Sequence, residues 1–253
     1  MDSRNLDLSA IFITLNEEKR ISKAIASLPK GCEIIVLDSG STDKTIEVAK
    51  KAGAKVSTRV FDNYASQKNA ALSLASRKWV LSIDADEILS LELSEEITKL
   101  IQSSHQQVHN AYRIKRQLIF MERILKFGKS SDKPLRLFIN GEATFTKAIH
   151  EQLKVEGKLG NLAGCLFHYS YENISDYFDR FNKYTSKIAS NHFDHGRTIN
   201  FFHVLRPWTE FLYRYFFRLG FLDGYPGYCY ALLSSLYAFV KYAKLKELYH
   251  LRK

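Results

Sequence analysis

The first hundred residues alternate between short apolar runs and longer stretches in which apolar positions recur with the period of a helix. The runs predict strands at 8–14, 33–37, 55–58 and 80–83, and the intervening stretches predict helices at 17–26, 42–51 and 64–76. Strands and helices that alternate at this spacing form a mostly parallel sheet with right-handed crossovers and helices on both faces. The sequence therefore predicts an α/β, Rossmann-like fold.

The pattern changes from about residue 105. After a helix at 93–101, short strand-like runs occur at 111–115, 117–121, 135–139 and 164–168, and an amphipathic helix follows at 173–193. We expect these runs to extend the sheet and to supply loops on the substrate side. The predicted catalytic domain spans residues 1–200, with a nucleotide-binding half at 1–104 and an acceptor half at 105–200.

Residues 201–253 form a distinct aromatic and basic segment. They hold 16 of the 33 aromatic residues and eight Lys and Arg against three acids. Phe211, Tyr215, Phe216 and Leu219 predict an apolar helical face flanked by Arg214 and Arg218, typical of a helix that lies in a membrane interface. The nearly uncharged stretch 228–240 is shorter than the roughly 20 residues that cross a bilayer. Alternatively, these aromatics pack on the catalytic domain or pair with another subunit.

The overall composition is that of a globular chain with an anionic partner. The formal net charge is +10, which fits nucleic acid, an anionic membrane surface or phosphorylated substrates. No nucleic-acid-binding signature is present, so we expect no nucleic acid partner. The start of the chain lacks a signal peptide, and three widely spaced cysteines fit a reducing compartment. We therefore expect a cytoplasmic protein, peripheral on the inner face of the membrane.

Polar clusters follow the predicted strands of the first half, where ligands bind in open α/β sheets. Taken singly, these residues are ordinary helix caps or solvated side chains, but together they predict a nucleotide site. The candidate residues are Thr14, Asn16 and Glu17 after the first strand, Asp38 and Gly40 after the second, Lys68 in the third helix, and Asp84, Ala85 and Asp86 after the fourth strand. Two carboxylates one residue apart predict a Mg²⁺ or Mn²⁺ site that also holds phosphate oxygens.

These motifs resemble family 2 glycosyltransferases. The matching stretches are Thr-Leu-Asn-Glu at 14–17, Val-Leu-Asp-Ser-Gly-Ser-Thr-Asp-Lys-Thr at 36–45, Gln-Lys-Asn-Ala-Ala-Leu at 67–72 and Leu-Ser-Ile-Asp-Ala-Asp-Glu at 81–87. Their order and spacing match over residues 8–89. More degenerate matches at 135–138, 149–151, 166–169 and 219–224 resemble the lipopolysaccharide-core β-glucosyltransferase branch of that family.

The resemblance implies a GT-A fold, a nucleotide-sugar donor such as a UDP-sugar, a divalent metal and inversion at the anomeric carbon. Thr14, Glu17 and Asp38 would contact the nucleoside, with Lys68 nearby. Asp84 would face the ribose or diphosphate and approach the metal, and Asp86 would bind the metal. His168, at the end of an apolar run, would bind the metal or the diphosphate, unless it is a hydrogen-bonded core histidine.

Inversion in one displacement needs a single base for the proton of the acceptor hydroxyl. The resemblance points to Glu151 as that base, with His150 orienting it or binding phosphate, and Asp132 is the rival. Arg136 would pair either with phosphate or with a buried acid, and Glu87 would cap a following helix.

The predicted function is transfer of a hexose, with glucose favoured, from a nucleotide-diphosphate sugar to a lipid-linked or lipopolysaccharide-core saccharide. The alternatives are a nucleotidyltransferase of similar fold and a non-catalytic basic module that binds membrane or nucleic acid. A nucleotidyltransferase would usually carry a Gly-rich basic loop after the first strand, and residues 14–17 are not such a loop.

Overall fold

The computed structural model describes residues 5–103, 108–146 and 152–251. The chain forms two compact units. The first unit contains Met1–Arg116 and Asp132–His168, and the second contains Gln117–Ser131 and Tyr169–Lys253. The two compact units differ from the predicted division into a catalytic domain at 1–200 and a helical segment at 201–253. The predicted division is one of function, and it stays a prediction.

The first unit is built on one large sheet. Its strands are β1 Leu8–Thr14, β2 Glu33–Asp38, β3 Lys55–Thr58, β4 Trp79–Ser82, β5 Glu87–Leu89, β6 Ala111–Phe120, β9 Leu135–Ile139 and β12 Leu159–His168. Two-residue strands β7 (Arg123–Ile124) and β8 (Ser131–Asp132) pair with β6, and β10 (Ala143–Thr146) and β11 (Gln152–Val155) form a separate hairpin. The helices of this unit are α1 Ile21–Ala26, α2 Thr45–Lys51, α3 Tyr64–Leu72 and α4 Leu91–Gln102.

The strand order is β3-β2-β1-β4-β9-β6-β12-β5. The first four strands are parallel, whereas β9 pairs antiparallel with both β4 and β6. The sheet is therefore parallel in the predicted nucleotide half and mixed beyond it. Parallel strands end at the same edge, so the loops after β1, β2 and β4 lie together.

Apolar side chains cover both faces of this sheet. Phe12 of β1 packs with Ile21 of α1 and Leu93 of α4 on one face. Ile11, the neighbour of Phe12, packs on the opposite face with Ala65 of α3. Successive strand residues point to opposite faces, and here both are buried. This explains why β1 is a continuous apolar run, and it confirms the predicted α/β sheet with helices on both faces.

Several predicted boundaries are wrong for local reasons. Helix α1 begins at Ile21 and not at residue 17, because the carbonyl oxygen of Glu17 accepts from Arg20 N and Ile21 N in a turn. Neither Ser41 nor Thr42 caps α2, which begins at Thr45. The two predicted runs at 111–121 are one strand, β6, with polar residues in its interior.

The second unit is helical. It contains α5 Ile174–Asp194, α6 Phe201–Leu212 and α7 Gly224–Leu251, with a π-helical segment at Tyr213–Phe217 and a 3₁₀ turn at Gly220–Asp223. The predicted helical extension is present, and its last helix, α7, begins at Gly224 after the 3₁₀ turn. A Cβ on Gly227 would overlap the carbonyl oxygen of Gly220, which explains the glycine there. Within the described ranges, no helix combines the length and apolar character that a bilayer span needs.

Two residues of the predicted apolar face, Phe211 and Tyr215, pack within the second unit, whereas Phe216 and Leu219 are exposed. The rings of Phe211 and Tyr215 stack 5.3 Å apart, and both contact the ring of Tyr228 on α7. Arg214 donates to Glu210 and to the carbonyl oxygen of Gly128, and its guanidinium lies over the ring of Tyr230. This side of α6 therefore packs inside the second unit.

Candidate active site

Asp38 organises the loop after β2. It is fully buried, and its Oδ1 accepts from the backbone N–H groups of Gly40 and Ser41. Its Oδ2 accepts from the hydroxyls of Thr14 and Ser41. The carboxylate thus ties the ends of β1 and β2 together, and its predicted contact with a nucleoside stays a prediction.

The loop after β1 is joined to the loop after β2 by further hydrogen bonds. Asn16 adopts φ 57°, and its Oδ1 accepts from the backbone N–H of Thr42 at 2.9 Å. The backbone N–H of Glu17 donates to Thr45 Oγ1 at 2.7 Å. Gly40 has φ +94°, a conformation that a side chain would strain, and no described atom lies within 4 Å of where its Cβ would be. The two loops therefore present an ordered edge with open space beside Gly40.

Lys68 lies beneath this edge on α3. Its side chain is buried, and its Nζ is 3.2 Å from Oδ1 of Asp84 and 5.7 Å from the ring centre of Phe145. The preceding residue, Gln67, is also buried and donates to Ser39 Oγ and to the carbonyl oxygen of Arg59. Helix α3 thus links the loop after β2 to the turn after β4.

Asp84 lies between two cations. Its Oδ1 faces Lys68, and its Oδ2 accepts from Nη2 of Arg136 at 2.7 Å. Burial by itself would raise the pKa of Asp84, but the positive charges of Arg136 and Lys68 outweigh burial and hold that pKa well below its ordinary value. Asp84 is therefore a fixed carboxylate with both oxygens engaged. Ala85, next to it, is buried and holds the turn against the core.

A chain of buried charges continues from Asp84. Arg136 also donates to Glu87 Oε1, and Glu87 is fully buried in β5. Arg116 of β6 donates to the same Glu87 oxygen at 3.0 Å and holds Asp132 with two hydrogen bonds of 2.9 and 2.7 Å. Lys68, Arg136 and Arg116 thereby balance Asp84, Glu87 and Asp132, which offsets the cost of burying Glu87 and partly burying Asp84. Arg136 therefore pairs with buried acids. Glu87 does not cap α4, since Ser90 does so.

Asp86 and His168 are brought together by the pairing of β5 with β12. Nε2 of His168 is 3.3 Å from Oδ2 of Asp86. A carboxylate oxygen and an imidazole nitrogen that converge in this way are both metal-ligating groups. No set of three or more His, Cys, Asp and Glu side chains in the described ranges is placed to hold a metal. A pair of protein ligands fits a cation that keeps its remaining positions for diphosphate oxygens and water.

The predicted catalytic pair, His150 and Glu151, lies outside the described residues. Its rival, Asp132, is in β8, half-exposed and held by Arg116. Nε and Nη2 of Arg116 donate to the two oxygens of this carboxylate and fix its position. The structure therefore shows Asp132 as an anchored carboxylate at the end of the charge chain.

Sequence reasoning missed Arg116. Its position in the strand could have indicated it, because Arg116 lies two residues after the buried Ile114 and therefore on the same face of β6. A charged residue at a core-facing position of a strand indicates a buried partner. The sequence analysis placed that partner, Glu87, at the end of the Asp-Ala-Asp-Glu motif but did not predict its pairing with Arg116.

The mostly parallel sheet with helices on both faces and polar side chains at its strand ends is a GT-A fold. The family model described as "Glycosyl transferase family 2" matches residues 9–167. An uncharacterized glycosyltransferase of Rickettsia typhi is 33% identical over 95% of this chain and 87% of its own length. The lipopolysaccharide core biosynthesis glycosyltransferase LpsC of Rhizobium meliloti is 30% identical over 98% of this chain and 94% of its own. The chain belongs to glycosyl transferase family 2.

Solved structures show more distant likeness. The match to TarS of Staphylococcus aureus covers 91% of this chain and 49% of the TarS chain, with 19% sequence identity and a TM-score of 0.49. Glucosyl-3-phosphoglycerate synthase of Mycobacterium tuberculosis, in a complex with Mn²⁺, UDP and glucosyl-3-phosphoglycerate, is 26% identical over 44% of this chain and 43% of its own, with a TM-score of 0.36. The family assignment rests on the family model and the near full-length relatives.

Proposed function

We propose that this glycosyltransferase moves a hexose, with glucose favoured, from a UDP-sugar to a saccharide acceptor, with inversion at the anomeric carbon. The observation that carries the proposal is the pairing of Asp86 with His168 beside the fixed carboxylate of Asp84. These groups lie at the strand-end edge formed by the loops of Thr14 and Asp38, where a nucleotide diphosphate binds in this type of fold.

Asp86 and His168 are the residues that we propose as protein ligands of a Mn²⁺ or Mg²⁺ ion. When bound, such an ion supplies positive charge to the leaving diphosphate. Direct contact of Asp84 with the metal stays a prediction, because in this structure Lys68 and Arg136 engage both of its oxygens. Asp84 then acts by orienting Lys68 and by facing the ribose or diphosphate.

The proposed reaction is a single displacement. The acceptor hydroxyl oxygen forms a bond to C1 of the sugar while the bond from C1 to the diphosphate oxygen breaks, and UDP leaves. The hydroxyl proton passes to a carboxylate base, which we propose to be Glu151, with His150 beside it. Asp132 is the alternative base, and two hydrogen bonds from Arg116 fix its carboxylate in place.

The proposed acceptor is a lipid-linked or lipopolysaccharide-core saccharide. This proposal is supported by the likeness to LpsC, whose name places it in lipopolysaccharide core biosynthesis. An acceptor held in a membrane would require the enzyme to work at the membrane surface. We therefore propose a cytoplasmic enzyme, peripheral on the inner face of the cytoplasmic membrane.

A thermal-shift screen tests the donor part of the proposal. The purified chain is heated with UDP-, GDP-, ADP- and dTDP-sugars, each with and without Mn²⁺. A ligand at one hundred times its dissociation constant stabilises the fold by about 2.7 kcal/mol, which is easily detected. We expect a UDP-sugar to raise the melting temperature only when Mn²⁺ is present. A shift with free nucleoside triphosphates but with no sugar nucleotide would instead support a nucleotidyltransferase.

A further inference from the structure

Helix α6 has one side packed against α7. The carbonyl oxygen of Pro207 accepts from Ser235 Oγ, and the ring of His203 lies 4.2 Å from that of Tyr242. One helical turn further on, the ring of Phe211 contacts that of Tyr228. As the position in α6 rises, the contacted position in α7 falls, so the two helices run antiparallel.

The other side of α6 is apolar and faces solvent. Phe201, Leu205, Trp208 and Leu212 recur at i, i+4, i+7 and i+11, which places them in one stripe along the helix. Phe201 is 70% exposed and Trp208 is 72% exposed, and in the range Phe201–Leu212 no residue is buried. Phe217, in the π-helical segment that follows, is 79% exposed. We call these five residues the outer stripe. Aromatic side chains exposed in a row mark a surface that binds something apolar.

Two positive charges adjoin members of the outer stripe in the sequence. Arg206 follows Leu205 and Arg218 follows Phe217; both are exposed, and among the described residues neither forms an ion pair with an acid. The two acids of residues 201–223 are engaged within the unit. Glu210 accepts from Arg214, and Asp223 accepts from the backbone N–H groups of residues 126 and 127. The charges of this segment that no described residue pairs are therefore positive.

We infer that the outer stripe inserts into the headgroup region of an anionic lipid bilayer, with Arg206 and Arg218 contacting lipid phosphates. A helix that combines an exposed apolar stripe, aromatic residues and flanking arginines lies in the plane of such an interface. Its twelve residues extend about 18 Å, which suits lying in the interface and is too short for a span.

Charge complementarity favours lipid over a second copy of the chain. In a two-fold dimer the same patch meets itself, so a single contact would gather Arg206 and Arg218 of both copies. Like charges brought together at a desolvated contact oppose association. Anionic headgroups would neutralise the same arginines. The inference deepens the peripheral location proposed above, and lipid binding is measured without donor or acceptor, so it fails or succeeds independently of the transferase activity.

Trp208 provides a direct reporter. The chain has two tryptophans, and the other, Trp79, is only 3% exposed, so its emission is not expected to respond to lipid. The full chain is mixed with vesicles of phosphatidylcholine alone or of equimolar phosphatidylcholine and phosphatidylglycerol. We expect a blue shift of Trp208 emission and co-sedimentation with the anionic vesicles, both weakening as salt rises.

Variants separate the apolar and the charged contributions. Phe201→Ser with Phe217→Ser keeps the reporter and should lower the vesicle-bound to free ratio by about tenfold or more, since two large apolar groups no longer enter the interface. Leu91→Ser is the matched control, because Leu91 is 73% exposed but belongs to the first unit. Arg206→Gln with Arg218→Gln should abolish the preference for anionic vesicles.

Three results would overturn the inference. The first is equal binding to both vesicle types, and the second is no binding to either. The third is a mass in sedimentation velocity that doubles with protein concentration, together with Trp208 emission that is already blue-shifted without vesicles. That outcome would assign the outer stripe to a second copy of the chain.

Discussion

Nη2 of Arg136 lies 2.7 Å from Oδ2 of Asp84, and the same nitrogen donates to the buried Glu87. One cation on β9 thus fixes a carboxylate of the proposed donor site after β4 and a core carboxylate on β5. Its Nε is buried without a hydrogen-bond partner among the described residues, so Arg136 is held chiefly by these acids. The proposed donor site and the core of the sheet therefore depend on the same side chain.

Arg136→Met should lower the free energy of unfolding by about 3–5 kcal/mol, because it leaves Asp84 and Glu87 with one cation fewer in a buried site. Urea unfolding followed by circular dichroism measures the loss. Arg113→Met is the matched control, since Arg113 is exposed on β6 and, among the described residues, donates to the carbonyl oxygen of Lys133. An Arg136→Met protein as stable as the parent would show that Lys68 and Arg116 alone balance the acids.

Asp86→Ala should abolish Mn²⁺-dependent stabilisation by a UDP-sugar while the melting temperature of the free protein changes little. Asp86 lies in the turn after β4, where its carboxylate pairs with the imidazole of His168. Thermal shift with and without Mn²⁺ measures both effects, and Asp179→Ala, at an exposed site on α5, is the control. A parent-like Mn²⁺-dependent shift in Asp86→Ala would remove Asp86 from the metal site.

Glu151→Gln should keep the donor affinity and slow transfer by about 10²–10⁴, the usual range for a lost general base. The amide keeps the shape of the side chain but does not take up the acceptor proton. Single-turnover transfer at saturating donor measures the rate, and thermal shift checks donor binding. If Glu151→Gln turns over like the parent while Asp132→Asn loses activity, the base is Asp132.

The lowered pKa of Glu33 predicts how the free energy of unfolding changes with pH. Burial by itself would raise its pKa, but hydrogen bonds from Lys55, Ser9 and Ser76 lower it from 4.5 to about 2. Because the folded pKa lies below the unfolded one, this stabilisation is complete above about pH 4.5 and is lost as the pH falls towards 2. Glu33→Gln should lower the unfolding free energy by about 2–3 kcal/mol at pH 7 and by much less near pH 2. An equal loss at both pH values would exclude linkage to this carboxylate.

The strands of the nucleotide half could be predicted closely from the sequence. The predicted bounds of β1 and β3 agree with the structure: β1 is a separate apolar run, and β3, Lys-Val-Ser-Thr, is set off by the helix before it. The same is true of β9. The strand-end clusters could also be predicted to meet, since parallel strands end at a common edge. The structure brings the loops of Thr14 and Asp38 into direct contact, as this argument requires.

The pairing of the buried charges could not be predicted. It depends on β9 and β6 running antiparallel beside β4, and such registers between distant segments leave no local pattern in the sequence. The same limit applies to α6. The sequence predicted one apolar face through Phe211 and Tyr215, and only the contacts of both rings with Tyr228 show that α7 covers them.

The most direct test of the account is the fate of the donor. The sugar nucleotide with the largest thermal shift is incubated with the protein, Mn²⁺ and either water or a lipopolysaccharide-core acceptor, and the products are followed by NMR. We predict release of the nucleoside diphosphate and a first-formed sugar product of inverted anomeric configuration, with Asp86→Ala inactive. Cleavage of the diphosphate to a nucleoside monophosphate and a sugar 1-phosphate, or equal turnover by Asp86→Ala, would contradict it.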